Sequence, residues 1–244
     1  AGMAFRYMTL KAARVTGAEL ETARNMVVRA VENLHIFLVV TGTPGVIARG
    51  IRRLLPENPA DPLVPGAIPE LVPLADEEGV PLPQPKDNGT WRDDNSKGVL
   101  PPGAWIWVDS ASKDQWDGFV FGMAALYDAI KDDPDVDQAL VQMLQEDATA
   151  MARMLMQKHK FQALGAGEFE YDLIIMDADG RPTKFHDLHP YIFEGAKFVP
   201  GGPTFNTFNL ITALGIMVGL YHISGEPDVE AFLYEELLGE RDYL

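Results

Sequence analysis

Three aspartates and three tryptophans crowd the stretch from Trp105 to Asp117, in "WIWVDSASKDQWD". Carboxyls among indoles suit work on a sugar. A flat apolar ring stacks on the sugar face, and a pair of acids moves the protons of glycosidic cleavage. An indole against a carboxyl also raises its pKa, which fits it as a general acid. On this reading Asp114 is the acid or base and Asp109 its partner. Trp107 and Trp116 are the stacking platforms, with Trp105 beside them. Hydrolysis would require two carboxyls facing one cavity, roughly 5–9.5 Å apart. A plainer role competes for the same residues, because Ser112 or Asp114 can cap the helix that follows while nearby acids complement its dipole. One cap uses one side chain, so the run carries a surplus.

A second group is "KFHDLHPY", with His186, His189 and Tyr191 close together. A histidine and a tyrosine beside a cleft can act as base and acid in β-elimination from a uronic acid. The competing role is to anchor a hairpin and its return loop. The two histidines lack a third local ligand, so no metal site is expected. "DADG" at Asp177–Gly180 lacks the ligand spacing of a calcium loop and reads as a hairpin turn. "TGTPGVIARG" has no lysine and no strand–loop–helix setting for a phosphate loop, and turn chemistry explains its glycines. No cofactor is expected. Arg49 in this stretch can hold a substrate carboxylate in bidentate fashion or form a buried ion pair.

These groups must be positioned by helices. Apolar residues recur with a helical period over Glu19–Val40 and Val136–Lys158, while Phe119–Ile130 and Phe208–Ile223 are apolar almost all round. Three junctions, "KAARVTGAELETARNMV", "ALYDAIKDDPDVDQALVQML" and "GLYHISGEPDVEAFLYEEL", each end one helix and open another with acids in its first turn. The expectation is a mainly α, single domain of three antiparallel α/α hairpins. Residues Gly42–Ser110 form one long insertion holding twelve of the eighteen prolines. Its Pro56–Pro85 part is expected to be loosely draped. Phe169–Met176 and Thr183–His186 are expected to pair as the main β-hairpin, with Asp179-Gly180 at its tip.

Composition narrows the partners. The chain has 244 residues, 47% of them hydrophobic, with a formal charge of −16. Such an acidic surface argues against nucleic acid and anionic membranes. No run of about 18 apolar residues suggests a span. There are no cysteines, which removes thiolate nucleophiles and disulfides from consideration. Ala1-Gly2 before Met3 reads equally as the remnant of a cleaved signal or of cloning. A periplasmic or secreted setting is favoured over the cytoplasm.

The segments "TGTPGVIARG", "WVDSASKDQWDGFVFGMAALYD" and "DADGRPTKFHDLHP", followed by "GLYHISGEPDVEAFLYEEL", resemble bacterial (α/α) toroid proteins. These are similar to the six-hairpin glycosidase and polysaccharide-lyase superfamily. The resemblance implies an inner ring of helices wrapped by an outer one, with loops at one end building a carbohydrate site. It implies a glycoside hydrolase or polysaccharide lyase acting on an oligo- or polysaccharide. A non-catalytic carbohydrate-binding or scaffold module on the same frame is the alternative. A closed ring of that kind has six hairpins and three are read here, so the expectation is an incomplete arc, a fragment of a longer protein, or a ring closed by association.

Overall fold

In the computed structural model the described residues are 1–54, 69–80, 82, 89–163, 167–183, 188–190 and 205–243. They are mainly helical, with small antiparallel sheets. Helices α1 (Gly2–Ala12) and α2 (Ala18–Val39), α3 (Lys113–Ile130) and α4 (Gln138–Met156), and α5 (Thr207–Ser224) and α6 (Pro227–Ala231) form three successive pairs. A π-helical stretch, Phe232–Glu240, continues α6. Helix α3 packs against both α1 and α5, and α4 packs against α2, α5 and α6. The odd-numbered helices therefore make one row and the even-numbered helices a second.

Local chemistry sets the helix ends. Ser112 caps α3 in a reciprocal box with Gln115, Asp137 caps α4 and Asn206 caps α5. Each side-chain oxygen satisfies an N–H that the first turn leaves unpaired. Helix α5 stops at Gly225, in the left-handed region at φ 64°, and Pro227 opens α6. The residue that caps α3 is thus Ser112 and not Asp114.

The pairs are cross-linked as well as packed. Tyr7 of α1 donates its hydroxyl hydrogen bond to the buried Asp133 at the α3–α4 junction, and Lys11 reaches the same carboxylate at 3.0 Å. Burial alone would raise the pKa of Asp133, but these partners hold it below the usual value. On α4, Arg153 grips Glu226 and Asp228 at the start of α6. Helices α3 and α5 approach so closely that a Cβ on Gly219 would lie 2.6 Å from Val120 Cγ1. By length and composition α5 is apolar enough to cross a membrane, but here 44% of it is buried. That corrects the expectation that no segment is apolar enough.

Gly42–Ser110 differs from expectation. It contains three short strands, β1 (Gly50–Arg53), β2 (Trp91–Asp93) and β3 (Trp105–Val108), in an antiparallel sheet of order β1-β3-β2. Within Pro56–Pro85, residues 56–68, 81 and 83–85 lie outside the described residues. The described part has no buried residue but makes some backbone bonds. Val72 N–H donates to Trp91 O at 2.9 Å and Leu82 N–H to Leu74 O at 3.0 Å. Among the described residues Asp179-Gly180 is not the tip of the main hairpin, and residues 184–186 of the expected return strand lie outside them. The main β pair is β4 (His159–Ala163) with β5 (Gly167–Tyr171). Asp179-Gly180 sits in a tight turn closed by an isolated bridge between Met176 and Pro182. The expected strand through Met176 stops at Tyr171, and Leu173 turns into the left-handed region at φ 55°. There it gives its N–H to Leu155 O of α4 at 2.7 Å. Packing onto a helix has overridden strand continuity.

The "TGTPG" turn after α2 requires its glycines. Gly45 has φ 78°, and a Cβ there would lie 2.3 Å from the carbonyl oxygen of Ala150 on α4. That is backbone, which cannot swing away. Gly98 has φ 90° with open space around it. Gly45→Ala should therefore lower stability by at least ~2 kcal/mol more than Gly98→Ala, since only the first adds a clash to the backbone strain. Urea unfolding of the two variants measures the difference, and equal losses would show that the turn can shift away from α4.

Candidate functional site

The passage from β3 into α3 is the most heavily bonded loop near the expected site. Asp109 is buried. It accepts Thr90 N–H at 2.7 Å and Arg92 Nε at 2.8 Å. Ser110 adopts φ 60°, unusual for a residue with a side chain. The buried Asp177 holds it there, taking the Ser110 N–H at 2.9 Å and its hydroxyl at 3.1 Å. Arg49 Nη1 donates to Ser110 O at 3.1 Å, and Gln115 Nε2 to Arg49 O at 2.9 Å. So the structure brings Arg49, Asp109, Ser110 and Asp177 together, with Trp107 just before them on β3.

The other expected residues fall elsewhere or face other ways. Asp114 is exposed on the first turn of α3, whereas Asp109 is buried beneath the loop, so the two do not form an open pair. Trp107 and Trp116 are 0% and 1% exposed. Trp107 donates its ring N–H to Asp93 O at 2.7 Å and packs with Val40 and Ala48, while Trp116 belongs to the main helical core. Their faces are covered, and neither offers a sugar platform in this conformation. Trp105 is half-buried, with the Arg53 guanidinium 5.9 Å from its ring. His186 and Tyr191 lie outside the described residues.

His189 is buried in a different place. Its ring meets Tyr171 edge-on, centroids 4.8 Å apart. It borders a cavity of about 530 Å³ with Lys158, Asp172 and Arg241. Burial pushes its pKa down to about 4, Asp172 opposing the shift and Arg241 adding to it. Arg241 is itself held by Asp172 and Glu236.

A site that the sequence did not reveal lies under the 72–75 strand-like strap. Arg92 on β2 organises it. Its Nε bonds Asp109, and Nη1 donates to Val72 O and Pro73 O at 3.0 and 2.7 Å. Nη2 lies 2.8 Å from Asp109 Oδ2, but off the hydrogen-bond axis, and has no aligned acceptor. Arg92 and Asp179 both line a cavity of about 550 Å³, with Asp93, Asp94, Asn95 and Lys97 along its wall. Asp179 is 7% exposed. Its Oδ1 accepts Arg181 N–H at 3.1 Å, while Oδ2 is buried without a hydrogen-bond partner. Burial raises its pKa, the Arg181 contacts and the Arg92 charge pull it back, and the Asp109 charge adds to the rise. Burial thus disfavours the charged form of Asp179, and the Arg92 guanidinium lines the same cavity. Among the described residues no three His, Cys, Asp or Glu side chains come together as a metal would need.

No protein-family model, no curated protein and no solved structure matches this chain. The site is therefore argued from its own geometry.

A group whose folded pKa is raised binds its proton more tightly in the native state. Its contribution is fully present below the unfolded value, about 3.9 for aspartate, and is lost as pH rises through the folded value. Relative to Asp179→Asn, the unaltered protein should gain stability as pH falls from 7 towards 4. At pH 7 the Asn variant should be at least as stable. Chemical denaturation of both across this range gives the difference, which cancels the opposing titration of His189. A flat difference would mean that Asp179 is solvated.

Proposed function

We propose that the protein is a carbohydrate-active hydrolase whose sugar occupies the Arg92–Asp179 cavity, with Asp179 as proton donor. The two rows of helices are then read as part of a toroid of the six-hairpin kind. The observation that carries this reading is Asp179, its Oδ2 buried without a hydrogen-bond partner, on the wall of a cavity that also holds Arg92, Asp93, Asp94 and Asn95. Acids, amides and a guanidinium complement vicinal hydroxyls, and a carboxyl with a raised pKa fits a general acid. In this scheme Asp179 gives its proton to the glycosidic oxygen as the bond to the anomeric carbon breaks. Asp93, an exposed carboxylate on the same wall, takes a proton from the water that adds to that carbon. A lyase would need a base at this position, and burial works against the charged carboxylate such a base would be.

Binding without cleavage is the second reading. It is favoured by Asp94, the half-buried carboxylate on the wall, whose two oxygens are already occupied by Ser96 N–H and hydroxyl. A panel of oligo- and polysaccharides, assayed for release of reducing ends, separates the two. Asp179→Asn should lower turnover about 10²–10⁴-fold while leaving circular dichroism and binding intact. Asp114→Asn should leave turnover unchanged. Full turnover in Asp179→Asn would remove it from the mechanism, and binding with no turnover in the unaltered protein would favour the second reading.

A further inference from the structure

The polar cavity does not end at its own wall. A second, shallow groove of about 300 Å³ adjoins it, and Gly42, Thr43 and Lys97 line both. This groove is bordered by Leu38 and Val39 at the end of α2, Pro44 of the turn, Val99, and Ala150 of α4. Val99 stands at its lip, 69% exposed. The polar side chains along it are mostly engaged with neighbours. Asp147 is paired with His35 Nδ1 at 2.8 Å, Glu146 accepts from Gln142 at 2.7 Å, and Ser96 donates to Asp94 at 3.1 Å. What remains open is mainly hydrocarbon, and an apolar occupant is stabilised there in proportion to the area it removes from water.

We propose that the ligand is an amphiphile, with a hydroxylated sugar head in the Asp179 cavity and a single alkyl tail lying along the Leu38–Val99–Ala150 groove. The assignment rests on the carbohydrate reading above for the head and on the continuity of the two cavities for the tail. The "TGTPG" turn thereby gains a role beyond chain reversal. Gly42 and Thr43 form the shared border where the head passes into the tail. Gly42 can take no side chain there, since a Cβ would lie 2.1 Å from Asn95 O.

Isothermal titration with methyl, butyl and hexyl glycosides of glucose, galactose and glucuronic acid, below their micelle concentrations, tests this. Each added methylene should tighten binding roughly threefold to fourfold until the groove is filled. Val99→Asp places a charge at the lip of the groove without touching the polar cavity. It should flatten that dependence and leave methyl glycoside affinity unchanged, while Val99→Leu preserves it. Methyl glycosides that bind as tightly as hexyl ones would overturn the tail assignment and leave the carbohydrate reading standing. A chain-length dependence that survives Val99→Asp would place the tail elsewhere, also overturning it. No binding by any of these glycosides would count against both.

Discussion

Two buried carboxylates, Asp109 and Asp177, hold the passage from β3 into α3, and the rest of the candidate site is placed from that passage. Asp109 ties it to Arg92 on β2, and Asp177 ties it to the turn that carries Asp179. Ser110 at the centre has its N–H, hydroxyl and carbonyl all bonded, which is what holds a non-glycine residue at φ 60° against a strain of about 1–3 kcal/mol. The Asp109–Arg92 pair, each partner 1% exposed, is a poor source of net stability but costly to break. Removing one partner leaves the other charge buried alone, at about 3–5 kcal/mol.

That constraint separates the roles of two neighbouring acids. Asp109 is saturated by a backbone N–H and a guanidinium, so it serves the scaffold. Asp179 feels the same arginine at longer range, keeps one oxygen without a partner, and is held away from water. Environment, not residue type, divides the structural carboxylate from the one proposed as proton donor. Arg92 joins these layers. It holds residues 72–73 through their carbonyls, pairs with Asp109, and lines the cavity.

The helices were legible because their signals are local. The stripe read over Glu19–Val40 matches α2 at Ala18–Val39, and Phe208–Ile223 matches α5 at Thr207–Ser224. The cap at Ser112 was one of two residues the sequence offered, and its box with Gln115 decides between them. The sheet of β1, β2 and β3 was not legible. Its strands are three or four residues long, and β1 pairs with β3 across more than fifty residues of proline-rich chain. Such short strands carry too little alternation to register. Tryptophans near acids suggested a sugar platform, but Trp107 and Trp116 are the two largest fully buried side chains, and composition does not tell a stacking face from a core. Asp179 was read as a turn residue, which it is. Its place on one cavity wall with Arg92 and residues 72–75 joins segments distant in sequence, which no local pattern records.

The most direct measurement of the central claim is the titration of individual carboxyls by carbon-detected nuclear magnetic resonance. Asp179 should titrate above the ordinary aspartate value of about 3.9, and its curve should shift when a sugar enters the cavity. An Asp179 that titrates at the ordinary value, and is unmoved by every glycan that binds, would contradict the account.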